Sequence, residues 1–316
     1  MEKKRPPVHP DLIGVVEMIK AAGLTLGEGE RDVHLRRIFL ERLNEFLARN
    51  SVPLAEEPVV ALRANGRDVP CKLYWPAGAE NPPLMFYCHG GGFRHGTLAG
   101  WDAPLRQIVR ASSVAVLSIE YALAPENPFP AAFNEVVEIL RTVIADGAVD
   151  GRRVSRYAAG GDSAGANLIL GASIALRDAG IDALSYLLLL YGVFSKNLDR
   201  PSWRRFSGYG GQALTIDSMS TYWREYLTRD EVDWRVQPLY AELAGLPTTR
   251  IVVGELDPLV DENRLLAEKL EAVGVRTSLH ILPNIVHGVM RFNELAPVVR
   301  SMLDHEAGLL RRALVA

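Results

Sequence analysis

The 316-residue sequence predicts an α/β fold: a mostly parallel sheet with helices on both faces. Three observations predict it. Short apolar runs alternate with helical stretches between residues 84 and 191. The alternation stops over residues 195–230. It resumes at residue 250 and continues towards the C-terminus. The length suits one large α/β domain, or two small ones, with a sizeable core.

The elements follow in order. Residues 11–22 and 31–49 have helical spacing. In the second stretch Leu35, Ile38, Phe39, Arg42, Leu43 and Phe46 recur at intervals of three and four, marking one largely apolar stripe. Pro53 and Pro58 end that pattern. Pro58–Arg63 and Val69–Trp75 flank residues 64–68, and Asn65-Gly66 there is a turn signal, so the segment reads as a hairpin. Strand Leu84–Cys88 precedes helix Asp102–Ala111. Strand Val114–Ile119 precedes helix Ala131–Ala145. Strand Ser155–Ala159 precedes helix Ser163–Ala179, and strand Ser185–Tyr191 follows. Residues 195–230 carry Trp203, Phe206, Tyr209, Tyr222, Trp223 and Tyr226, with Gly208, Gly210 and Gly211 between them. They read as an insertion with at least one helix, Ile216–Leu227. Strand Arg250–Val253, helix Glu262–Val273, strand Thr277–Leu282 and a helix near 294–312 complete the pattern. There are no internal repeats and no low-complexity tract.

Composition narrows the function classes. Hydrophobic residues make up 48% and charged residues 23%, and the formal net charge is −3. That balance gives no support to nucleic acid or an anionic membrane as a partner. Met1-Glu2-Lys3-Lys4-Arg5 is charged, but no apolar run follows to make a signal peptide. The longest apolar run, Ala183 to Phe194, is too short to span a bilayer and reads as a buried strand. Two cysteines, Cys71 and Cys88, make no disulfide framework. Both lie in segments that read as strands, Cys88 reads as a small buried hydrophobe rather than a reactive thiol, and a reducing cytoplasmic location is expected.

The strongest local signal is Gly160-Gly161-Asp162-Ser163-Ala164-Gly165, a G-x-S-x-G between a strand and a helix. A serine on such a turn is exposed at the C-terminal edge of the sheet. Small residues at 161 and 165 let the turn close, and the helix N-terminus favours a developing negative charge. The ordinary alternative is a glycine-rich turn that binds phosphate. His89-Gly90-Gly91-Gly92 directly follows strand 84–88. Three consecutive glycines are conformationally expensive unless their amides must point somewhere particular. The N–H groups of Gly91, Gly92 and Ala164 are the candidate oxyanion hole. His89 reads as a residue that anchors this loop rather than as a general base.

A nucleophilic serine needs a base and an acid, in the chain order Ser, Asp/Glu, His for this architecture. Strand 250–253 runs into Gly254-Glu255-Leu256-Asp257-Pro258-Leu259, which puts Asp257 at the same sheet edge as Ser163. Strand 277–282 is followed by a loop carrying His287. His287 would move the proton between Ser163 and the leaving group, and Asp257 would hold the imidazole tautomer. Glu255 and Asp261 compete as the acid. Asp261 reads instead as the cap of the following helix. His9 and His34 are N-terminal, His280 lies in a strand and His305 in the last helix. Only His287 has both the right chain order and a loop position.

Together these motifs resemble the hormonesensitive-lipase-like bacterial esterases of the α/β-hydrolase fold. Besides His89–Gly92 and the Ser163 turn, the resemblance includes Tyr121-Ala122-Leu123-Ala124-Pro125-Glu126, then Pro128-Phe129-Pro130-Ala131-Ala132. It also includes Leu246-Pro247 and Asp257-Pro258-Leu259-Val260-Asp261, and it covers about residues 55–300. The departures are Ala122 for an arginine, Glu120 for an aspartate and Asn263 for a glycine; none touches Ser163, Asp257 or His287. The cis or trans state of the proline-rich stretch 125–130 is left open. The resemblance implies an eight-stranded sheet with a helical cap. Residues 1–54 would supply cap helices, 195–230 a cap insertion, and 55–194 with 231–316 the catalytic unit.

It also implies a serine carboxylesterase acting on short-chain acyl esters through an acyl-enzyme, with no cofactor and no metal, and a homodimer formed through an edge strand. Trp203 and Tyr209 are candidates for the acyl pocket, although cap aromatics are usually cap core. Phe93-Arg94-His95 stands where the family has apolar residues, so Arg94 is a candidate for binding a substrate carboxylate. The alternative for Arg94 is an ion pair with a neighbour such as Asp102. An amidase or aryl formamidase could use the same triad. A non-catalytic small-molecule receptor is the third reading, and the presence of His287 weighs against it.

Overall fold

In a computed structural model the chain is described over residues 6–24, 32–210, 214–229 and 233–315. Met1–Arg5, Arg31 at the expected start of the second helix, and Gly211 and Asp230 of the expected insertion lie outside those residues. Eight strands form one sheet: β1 (Val59–Ala64), β2 (Arg67–Tyr74), β3 (Leu84–Cys88), β4 (Ala115–Ile119), β5 (Tyr157–Asp162), β6 (Leu184–Leu190), β7 (Thr248–Gly254) and β8 (Thr277–Leu282). Their order is β1-β2-β4-β3-β5-β6-β7-β8. β2 pairs antiparallel with β1 and with β4, and every later pairing is parallel. This is the α/β-hydrolase sheet that the motifs implied.

Nine helices accompany it among the described residues: α1 (Pro10–Ala21), α2 (Val33–Leu47), α3 (Asp102–Ser112), α4 (Ala131–Asp146), α5 (Ala164–Asp178), α6 (Pro201–Phe206), α7 (Ile216–Tyr226), α8 (Val260–Ala272) and α9 (Pro297–Leu314). The side chains of β3 explain the layering. Leu84, Phe86 and Cys88 join one apolar core with Val136 of α4, Leu168 of α5 and Leu266 of α8. Met85 and Tyr87 join a second core with Val109 of α3 and Leu303 of α9. The period of two sends alternate residues to opposite faces, and both faces are covered, so the strand reads as continuously apolar. Leu12 of α1 and Leu43 of α2 add to the second core.

Three expectations need correction. The hairpin turn is two residues, not five: Ala64 pairs with Arg67 and Arg63 with Asp68, across Asn65 and Gly66, both at positive φ. The strand expected at 155–159 extends to Asp162. Gly160 and Gly161 stay extended and paired with Leu188 and Leu189. A Cβ on Gly161 would lie 2.6 Å from Gly165 O, so its smallness lets the turn close, as expected, without a special backbone conformation. In α2 the expected apolar stripe is not the buried face: Leu35 and Ile38 are exposed, and Leu43, Asn44 and Leu47 are buried. The interrupted segment, expected to hold at least one helix, holds α6 as well as α7, and Pro201 starts α6 at its first position. Both Ala124–Pro125 and Phe129–Pro130 are cis. Among the described residues no helix is long and apolar enough to cross a membrane.

The chain runs from β3 outward to β4 and then returns to place β5 on the other side of β3. Loops leaving the C-terminal ends of β3 and β5 therefore flank a crevice where the winding reverses, which is where open α/β sheets bind ligands.

Candidate active site

Ser163 sits between β5 and α5 at φ 52°, ψ −116°, a backbone conformation that L-residues rarely adopt. The turn is fixed on both sides: Ser163 N–H donates to Leu190 O at 2.9 Å, and Ser163 O accepts from Val193 N at 3.3 Å. A Cβ on Gly165 would lie 1.9 Å from Cys88 O and 2.5 Å from His89 O. Only glycine lets α5 start this close to the end of β3, and that approach puts Ala164 beside the His89–Gly92 loop.

Ser163, His287 and Asp257 form one hydrogen-bonded chain. Ser163 Oγ lies 3.0 Å from His287 Nε2, and His287 Nδ1 lies 2.8 Å from Asp257 Oδ2. A carboxylate only accepts, so Nδ1 carries the proton and Nε2 faces the serine as an acceptor. Asp257 is fully buried, and its other oxygen accepts from Leu259 N at 2.8 Å. The His287 loop is stitched to the end of β7: Leu256 N–H donates to Ile285 O, and Glu255 Oε2 accepts from Asn284 N. Tyr191 packs edge-on against the imidazole at 5.1 Å.

The competing acids are engaged elsewhere. Glu255 braces the loop just described. Asp261 is not the cap of α8, whose N-cap is Leu259; its carboxylate accepts from Ser202 N at the start of α6 instead.

The His89–His95 loop is a tight turn. Arg94 N–H and His95 N–H both donate to Gly91 O. Gly91 (φ 124°), Gly92 (φ 60°) and Phe93 (φ 62°) all have positive φ. A Cβ on Gly91 would lie 1.8 Å from His95 O, and one on Gly92 would lie 2.3 Å from the Tyr222 ring of α7. The amides of Gly91 and Gly92 have no acceptor among the described residues. His89 is buried beneath the turn. Its Nδ1 faces Gly90 O at 2.8 Å, it stacks on Tyr121 at 4.4 Å, and burial pulls its pKa down to about 4. It is a neutral anchor, as expected.

Asp162, next to the nucleophile, is a further site residue that no motif singles out. Its buried Oδ1 accepts from Gly90 N (2.8 Å), Tyr87 OH (2.9 Å) and Trp101 Nε1 (2.8 Å). Burial raises its pKa, against the pull of those donors. It joins the nucleophile turn to the glycine loop. Its place directly before the serine was the only available signal.

The candidate substrate residues lie elsewhere than expected. The Arg94 side chain is buried and ion-paired with Glu225 of α7, its Nε 2.8 Å from Oε2. Asp102, the partner considered from sequence, instead holds Lys72, Tyr74 and Arg106. Arg94 is therefore not a cation open to a substrate carboxylate. Trp203 is fully buried in the core on the α4–α5–α8 face. Tyr209 packs on Phe206 and its hydroxyl donates to Pro6 O. Both are engaged in packing with other parts of the chain. From the interrupted segment, the aromatics that meet the glycine loop are Tyr222, Trp223 and Tyr226 of α7, with Phe93 stacked on Tyr226 at 4.0 Å.

With this geometry established, comparison with known proteins is direct. Residues 85–291 match a family model described as alpha/beta hydrolase fold. Carboxylesterase NlhH of Mycobacterium tuberculosis is 32% identical over 79% of this chain and 80% of its own. An acetyl esterase of Salmonella choleraesuis is 30% identical over 76% and 75%. A hyperthermophilic esterase from the archaeon Pyrobaculum calidifontis superposes with a TM-score of 0.89 at 28% identity, covering 98% of this chain and 100% of that one.

Proposed function

The chain belongs to the α/β-hydrolase fold family, and from that premise we propose that it is a serine carboxylesterase with Ser163 as its nucleophile. One observation carries the assignment: the continuous chain from Ser163 Oγ through the two ring nitrogens of His287 to Asp257. His287 Nε2 takes the hydroxyl proton as Oγ attacks the ester carbonyl. The amides of Gly91, Gly92 and Ala164 receive the oxyanion. Collapse of the tetrahedral intermediate breaks the bond to the alkoxy group, which leaves with the proton from His287 as the alcohol. Water then attacks the acyl-enzyme with the same base, releasing the acid and Ser163. Asp257 steadies the imidazolium at both stages.

Carboxylic ester hydrolysis, rather than amide hydrolysis, agrees with the printed names of the relatives. The preference for short acyl chains is supported by the acetyl esterase among them. We further propose that 1–54 and 195–230 act as the cap over the catalytic unit 55–194 and 231–316. The contact of α7 with the glycine loop supports this reading. The homodimer proposal rests on β8, an edge strand of only half-buried or exposed residues. Free, buried Cys71 and Cys88 fit a cytoplasmic location. Ser163→Ala should abolish hydrolysis of a p-nitrophenyl ester series while the circular dichroism spectrum is unchanged. In the wild type, kcat/KM should be highest for the shortest acyl groups. Substantial turnover by the serine variant would remove the nucleophile assignment.

A further inference from the structure

Within the esterase reading, we propose that Arg37 of α2 is a positioning residue for the oxyanion loop. Its guanidinium makes four hydrogen bonds. Nε donates to Arg94 O at 2.9 Å, and Nη2 donates to Ala124 O at 3.0 Å. Nη1 and Nη2 together grip both oxygens of Glu126, at 2.7 and 2.9 Å. One planar fork thus joins the last turn of the glycine loop to the segment 121–126 beneath it. That segment already touches the loop: Ala124 N–H donates to Phe93 O, and Tyr121 OH donates to His89 O.

The loop needs such bracing because it is locally unfavourable. Gly91, Gly92 and Phe93 all hold positive φ, and Phe93 has a Cβ that opposes it. Beyond its own turn bonds to Gly91 O, the loop is therefore held from outside. From below, Asp162 holds Gly90. From α7, Tyr222 presses on Gly92 and Glu225 pairs with Arg94. Arg37 supplies the remaining side, from a helix that is not part of the sheet. An oxyanion hole works through amides fixed before the charge develops, so a loose turn costs rate more than substrate affinity. Arg37 never contacts the reacting atoms, and its effect passes through the Gly91 and Gly92 amides.

The test compares Arg37→Ala and Arg37→Lys with the wild type in the full-length enzyme. Lysine keeps a charge for Glu126 but cannot serve the two carbonyls in a fork. Each variant is read by the kcat and KM for p-nitrophenyl acetate, the rate of phosphonylation by a fluorophosphonate, and Tm. Phosphonylation also places an anionic oxygen among the same amides, so it probes the loop whichever ester is preferred. Both variants should lose roughly tenfold in kcat and in phosphonylation rate, with KM within about twofold. Lysine should recover Tm without recovering kcat. Wild-type kcat and phosphonylation rate in either variant would overturn the proposal. A wild-type enzyme that neither hydrolyses esters nor reacts with the probe would overturn the esterase reading, and this role with it.

Discussion

At the scale of single residues, the site is defined by which groups are occupied and which are open. Glu255, Asp257 and Asp261 lie within seven positions of one another, yet each has one partner set. Glu255 accepts from Asn284, Asp261 from Ser202, and Asp257 from His287 and Leu259. Asp257→Asn should therefore cost kcat about a thousandfold or more with little change in KM, because an amide can donate to Nδ1 and fix the wrong tautomer. Steady-state kinetics on one p-nitrophenyl ester measures this. Glu262, which follows Asp261, is fully buried, and burial pushes its pKa up to about 8 although it accepts from Phe194 N and Ser195 Oγ. A free glutamate titrates near ~4.3, so between that pH and about 8 the folded state holds a proton that the unfolded chain releases. Stability attributable to this group is present below ~4.3 and is lost as pH rises towards 8. The Tm of Glu262→Gln should gain on that of the wild type between pH 5 and pH 9. A constant difference across that range would contradict the assignment. Ser163, Asp257 and His287 were legible because chain order and loop position are local properties. Glu225 as the partner of Arg94 was not. It lies on a helix of the interrupted segment, and nothing near residue 94 in the sequence points to it.

At the scale of elements, the reading was sound where one pattern had one cause and weaker where glycine had two. Gly91 and Gly92 hold positive φ, as three glycines in a row suggest. Gly160 and Gly161 carry the same letters but lie in β5, where small size rather than backbone freedom is needed. Helix α2 was visible, but its stripe was misplaced at Leu35 and Ile38, which are exposed. Its functional arginine was not visible, because Arg37 acts through carbonyls that any sequence possesses. A similar long-range tie fixes α9 to the sheet. Glu306 is fully buried and accepts from Arg250 of β7 through both oxygens, at 2.8 Å each. Glu306→Ala leaves a buried guanidinium without its carboxylate and should destabilise the fold by about 3 kcal/mol. Urea unfolding measures the loss, and kcat at low temperature should stay near the wild-type value, since the pair lies away from Ser163.

For the molecule as a whole, the parallel sheet and its break at 195–230 followed from periodicity, but the strand order did not. Alternation says that strands exist; it does not say that β3 lies between β4 and β5. That order creates the crevice in which two short loops, far apart in sequence, face each other. β7 and β8 then deliver Asp257 and His287 to the same edge. The account therefore rests on one claim: this edge, through Ser163, performs the chemistry. Titration of the intact enzyme with a fluorophosphonate, followed by peptide mass spectrometry, tests it most directly. One adduct per chain, located on Ser163 and formed in proportion to the loss of ester hydrolysis, is the predicted result. An adduct on another residue, or full hydrolysis by protein modified at Ser163, would contradict it.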